Sequence, residues 1–211
     1  MMRRLGMIIA LASLAACGKV KNLDPLNGLA GPEDNTRYGF ESSAMGWAPS
    51  AYLGGTCQSV FQNPGQSFWG QGSLALRTLN TDNTNNGANS AAASIIFGSP
   101  QNLTGKTIRL WLYAPLDIAP SDDKPSYVSI FTKSNTYANG MASNIARGNW
   151  TEVVFAPQAN STAVTVTAGG AFIPPTYDPS SVTELGVKVG IAGTASGFSF
   201  TGTILLDGVD W

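Results

Sequence analysis

Thr107-Ile108-Arg109-Leu110-Trp111-Leu112-Tyr113 decides the fold. In an extended chain, side chains alternate between two faces. Ile108, Leu110 and Leu112 therefore share one face, and Arg109, Trp111 and Tyr113 share the other. Ser73 to Thr78 alternates in the same way. Short runs rich in β-branched and aromatic residues follow at Tyr127 to Lys133, Thr151 to Phe155, Ala163 to Thr167, Leu185 to Ile191 and Phe198 to Leu206. Gly, Asn, Pro and Ser clusters separate them, and no segment carries a sustained helical period with caps. Many short strands at this spacing predict an all-β domain, a sandwich or barrel. A length of 211 residues suits one domain of ordinary size.

Composition narrows the function. The apolar fraction is 43%, so a core is available, yet only 12% of residues are charged. An average soluble domain carries roughly 25%. Asn, Ser, Thr and Gln must keep the surface wet, a pattern common on exported β proteins. Apart from Arg3 and Arg4, the ten remaining Lys and Arg are scattered singly, whereas nucleic acid needs a concentrated basic patch, so no nucleic-acid partner is expected. Histidine is absent, which excludes His-based metal sites and any Ser-His or Cys-His nucleophilic pair.

The first 16 residues read as a leader. Met1-Met2-Arg3-Arg4 is a short basic start, and Leu5 to Leu14 is an apolar run broken by Gly6 and Ser13. A span needs about 20 apolar residues, so this run suits a signal peptide instead. Leu14-Ala15-Ala16-Cys17-Gly18 resembles the lipobox of bacterial lipoproteins. That resemblance implies cleavage before Cys17, acylation of its thiol and anchoring to a membrane of the cell envelope. Gly18 suits the outer membrane if the host is Gram-negative. Losing Arg3 and Arg4 takes the formal charge from −1 to −3. Residues 17–36 lack any regular period and read as a tether, leaving residues 37–211 as the folded domain. Lipidation of Cys17 leaves Cys57 as the one thiol, read as a small buried apolar residue. Asp117, Asp122 and Asp123 in a Pro-rich stretch read as solvated charge, and Asn80 to Ser90 as a surface loop.

Several segments, in order, resemble jelly-roll carbohydrate-binding modules of the galactose-binding-like class. They are Tyr38-Gly39-Phe40-Glu41 with Gly46-Trp47, Gly72 to Leu76, and Leu103-Thr104-Gly105-Lys106 leading into Ile108 to Pro115. Gly148 to Val153, Asp178 to Val182 before Leu185-Gly186-Val187, and Gly202 to Trp211 complete the set. The resemblance spans residues 37–211 and implies a β-sandwich of two antiparallel sheets. It also implies a structural calcium held by Glu41 and Asp207, since calcium takes several hard oxygens at about 2.3–2.6 Å. Trp47, Trp150 and Trp211 fall where the family keeps packing residues.

Sugars present apolar ring faces edged with hydroxyls, so their sites pair flat aromatics with a few polar groups. Arg109, Trp111 and Tyr113 on one strand face fit that need, as do Tyr127 and Phe131, which alternate against Val128 and Ile130. Trp69 joins them, and so does Tyr137, expected in a loop where the family often places an aromatic ligand residue. The expected function is a non-catalytic, envelope-anchored lipoprotein that binds a polysaccharide or glycan. The alternative is a structural or protein-interaction sandwich whose outward aromatics are covered by loops or a partner. An enzyme is not expected: glycoside hydrolysis usually pairs two carboxyls about 5 to 9.5 Å apart. Glu152, Glu184, Asp207 and Asp210 show no such pairing along one strand.

Overall fold

The computed structural model describes residues 36–52, 57–80, 90–116, 126–158, 171–191 and 200–211. Leader, Cys17 and nearly all of the tether lie outside these residues, as do the strand expected at Ala163 to Thr167 and the acids Asp117, Asp122 and Asp123.

Eleven strands are described: β1 (Ala48–Pro49), β2 (Ser59–Asn63), β3 (Ser73–Asn80), β4 (Ser90–Gln101), β5 (Ile108–Tyr113), β6 (Ser126–Lys133), β7 (Tyr137–Ile145), β8 (Trp150–Phe155), β9 (Ala171–Phe172), β10 (Val182–Ile191) and β11 (Phe200–Asp210). They form two antiparallel sheets, one of six strands in the order β1-β4-β10-β6-β7-β9 and one of five in the order β2-β3-β11-β5-β8. The protein is an all-β sandwich, as its alternating runs predict.

Alternation explains the layering. From the five-stranded sheet, Leu74, Leu76, Ile108, Leu110, Leu112, Val153, Phe155, Ile204 and Leu206 point inward. They meet Ala93, Ile95, Val128, Ile130, Leu185, Val187 and Val189 from the six-stranded sheet. Burying each large aliphatic side chain contributes about 1.5–3 kcal/mol. The core face of β5 is the one its sequence indicates, with Arg109, Trp111 and Tyr113 on the outer face.

β11 lies inside its sheet, bonded to β3 on one side and β5 on the other. Its register shifts between Asp207 and Asp210, where Gly208 takes a φ of 60° that an L side chain resists. Past this bulge, Val209 exchanges two backbone hydrogen bonds with Tyr38, at 3.0 and 3.1 Å. The start of the described chain is thereby fixed to its end.

Candidate functional site

Both sheets carry aromatic residues on their outer faces, and those faces lie on opposite sides of the sandwich. The residues expected to share one ligand site are split between them.

On the six-stranded sheet, register places Ile96, Glu184, Lys133 and Tyr137 in one cross-strand row. Ser94, Gly186, Phe131, Asn139 and Phe172 make the next row, and Ala92, Lys188 and Ser129 a third. Gly186 sits under the Phe131 ring: a Cβ there would collide with that ring and lie 2.7 Å from the Ala93 carbonyl oxygen. The bare backbone lets the ring lie flat across β10. Tyr52, arriving from the segment after β1, stacks on Phe131 at 3.9 Å between centroids. Tyr137 closes the cluster at 4.7 Å from Tyr52 and 5.9 Å from Phe131. Two expectations are corrected here. Phe131 is fully buried and supports Tyr52 instead of meeting a ligand. Tyr137 opens β7 and does not sit in a loop. Tyr127 lies on β6, opposite Gly190 and Ser143, but its side chain is outside the described residues.

Polar groups surround this aromatic cluster. Tyr137 donates its phenolic hydrogen to Glu184 Oε2 at 3.2 Å, and Lys133 Nζ lies 5.1 Å from the Tyr137 ring centroid. Ser94, Ser129, Glu184 and Lys188 are all buried, although they sit on the face away from the core. Ser129 Oγ has no hydrogen-bond partner among the described residues. Burial pushes the Tyr137 phenol above its ordinary pKa, and the Glu184 charge adds to that. Tyr52 is pushed up to about 12, mainly by burial and then by Tyr137. Burial lowers Lys188. At neutral pH both phenols are therefore uncharged donors and acceptors. At the edge, Phe172 is 64% exposed. Tyr52, Phe172, Glu184 and Lys188 were not expected at a site. Only the alternation Ala171-Phe172-Ile173 hints at Phe172, and nothing in sequence ties Tyr52 to a strand some 80 residues later.

The outer face of the five-stranded sheet holds Trp69, Arg109, Trp111 and Tyr113. Residues 66–70 fold across it, and Phe68 stacks on Trp111 at 3.6 Å with planes 15° apart. That contact covers one face of the Trp111 ring, which is half-buried. Trp69 packs edge-on to Phe68 at 4.8 Å. Arg109 Nη1 lies 3.1 Å from Glu152 Oε1 in an exposed ion pair. Tyr113 lies beside Trp150, 5.7 Å between centroids. Trp150 is half-buried on this outer face, so it is not the core residue expected; Trp47 is in the core, and Trp211 packs at its edge between Tyr38 and Phe97. Cys57, expected to be buried, is half-buried; its Sγ donates to the Ser59 carbonyl at 3.3 Å, and burial raises its pKa.

The calcium expectation rests on Glu41 and Asp207. Asp207 is fully buried, and its Oδ2 accepts the amide hydrogens of Phe68 at 2.7 Å and Trp69 at 2.9 Å. Its Oδ1 accepts the Gly208 amide at 2.8 Å. Glu41 Oε2 accepts the Gln71 amide at 2.8 Å. N–H groups aimed at these oxygens present positive ends where a cation would sit. Among the described residues no three Asp, Glu, Cys or His side chains converge. The two acids hold residues 66–71 onto the sheet through these backbone amides.

No protein-family model and no curated protein matches the sequence. Solved structures do resemble its fold. One, from work on carbohydrate-binding modules of the β-sandwich superfamily, is 16% identical with a TM-score of 0.51 and covers 85% of this chain. A carbohydrate-binding module of Caldicellulosiruptor saccharolyticus in complex with mannohexaose is 16% identical with a TM-score of 0.50, covering 79% of this chain and 90% of its own. An exo-β-agarase aligns at 10% identity and a TM-score of 0.52 over 83% of this chain. This chain spans 62% of the first of these structures and 24% of the agarase. The class its fold defines is the β-sandwich found in carbohydrate-binding modules.

Proposed function

We propose that this chain is a non-catalytic glycan-binding lipoprotein of the cell envelope, which takes polysaccharide on the outer face of its six-stranded sheet. The observation that carries the reading is the company of rings and polar groups on that face. Tyr137 and Phe172 offer apolar surfaces, with Tyr52 and Phe131 buried behind Tyr137; Glu184, Lys133, Asn139 and Ser129 stand within the same or adjacent cross-strand rows. A sheet that served only as a scaffold has no need of buried Ser, Glu and Lys on its outward side, because each costs desolvation. A sugar ring stacked on an aromatic and bonded through its hydroxyls uses both kinds of group. The likeness to carbohydrate-binding modules supports the same ligand class. The lipid anchor on Cys17 rests on the leader pattern.

The test is a glycan array with the full chain in detergent, followed by titration of each hit. Tyr137→Ala is expected to weaken binding about tenfold or more, roughly 1.4 kcal/mol. Trp111→Ala, whose ring Phe68 already covers, should leave affinity unchanged in folded protein. A blank array from folded protein would favour the second reading, an envelope scaffold or protein-interaction sandwich. That reading draws on Tyr52 and Phe68, residues of this chain that already cover two of its aromatic faces.

A further inference from the structure

The five-stranded sheet has an open depression of about 400 Å³ on its outer face, away from the Phe68-Trp111 stack. Its apolar surface comes from Phe61, Tyr113, Pro115 and Leu205, and its polar rim includes Asn63 and Gln66. Register explains the shape. Phe61, Ala75, Leu205 and Tyr113 form one cross-strand row, so one ring stands at each end with Ala75 and Leu205 between them. Phe61 is 43% exposed on the edge strand β2.

We propose that this depression is a second ligand site, built for a neutral glycosyl unit. Three observations argue for that class. Among the described residues no charged side chain lines the space, so they offer nothing to a phosphate, a uronate or an amine. Aromatic walls with amide and hydroxyl groups at the rim match a pyranose ring, and the volume lies within the about 300–1,000 Å³ of small-molecule sites. Finally, the Nε2 of the lining residue Gln66 is buried without a hydrogen-bond partner among the described residues. Buried donors left unpaired are rare in folded proteins and call for an acceptor. A sugar hydroxyl entering beside Gln66 supplies one.

This site lies on the side of the sandwich opposite the face assigned above and shares its ligand class, so the experiment must separate the two. Labelled full chain in detergent is titrated with mannohexaose and with agaro-, xylo- and cello-oligosaccharides, and amide shifts are mapped by NMR. The expected result is a saturable set of shifts at Phe61, Gln66, Thr203 and Leu205, which survives Tyr137→Ala. Gln66→Ala should weaken that set about tenfold while leaving shifts near Tyr137 intact; it also serves if Tyr113→Ala does not fold. Shifts confined to the Tyr137 face overturn the second site and leave the first standing. Shifts confined to the Phe61 face do the reverse. Shifts at neither face overturn both.

Discussion

Asp207 shows how one side chain can hold a loop to a sheet. A carboxylate has about four lone-pair positions, and three of these take backbone amides. Asp207→Ala would leave three donors without their acceptor, each buried orphan costing about 1–3 kcal/mol. A loss of about 3 kcal/mol or more is expected in urea unfolding, with Trp111 fluorescence shifting as Phe68 lifts away. Melts of the wild type in calcium and in EDTA should coincide. A lower melting point in EDTA would return Glu41 and Asp207 to the metal reading. Tyr52 and Tyr177 set a second residue-scale expectation. Both phenols are pushed up to about 12, chiefly by burial. A raised folded pKa means that stability is complete below the unfolded value of 10.0 and is lost as pH rises through the folded value. The urea midpoint should therefore fall between about pH 10 and about pH 12. Lys188, lowered by burial, acts in the opposite sense, since the unfolded chain then binds more protons as pH approaches 10.5 from below. A midpoint that holds level across the alkaline range would contradict the tyrosine argument.

At the scale of elements, β10 and β6 depend on one missing methyl. Gly186→Ala would drive Phe131 off the strand and with it the stacked Tyr52. Overpacking of this kind costs about 1–3 kcal/mol. Glycan binding should fall in step, because Tyr137 loses its neighbours; unchanged stability would show that the ring has room to move. The strands rich in β-branched and aromatic residues were legible in sequence: β3, β5, β6, β8, β10 and β11. β4 was not, because half of Ser90 to Gln101 is Ala and Ser, with Gly98 and Pro100 near its end. β7 was not, because Asn139-Gly140 has the composition of a turn. Alternation fixes which side of a strand faces the core, and it did so for β5 and β6. It does not state which sheet a strand joins. β5 and β6 are consecutive strands in the chain, yet they belong to different sheets, so Trp111 and Phe131 look outward in opposite directions. The covering of Trp111 by Phe68, and of Phe131 by Tyr52, arises from loops that carry no periodic signal.

On the scale of the whole molecule, anchoring and folding order are the open physical questions. If Cys17 carries lipid, the wild-type chain expressed in a bacterial host should sediment with membranes, and Cys17→Ser should remain in the supernatant. Sedimentation of both alike would remove the anchor. Architecture has a further effect through β11. It is the central strand of its sheet, it supplies Asp207 to residues 68 and 69, and it pairs with Tyr38. Every one of these bonds joins the last residues described to the first or to the middle. A ribosome delivers the N-terminal strands well before β11 exists, and during that interval β3 and β5 have a vacant lane between them. The five-stranded sheet therefore stays open until β11 has been made. β11 is thus the strand on which closure of this sheet waits, and a chain lacking it would expose the flanks of β3 and β5 to other strands.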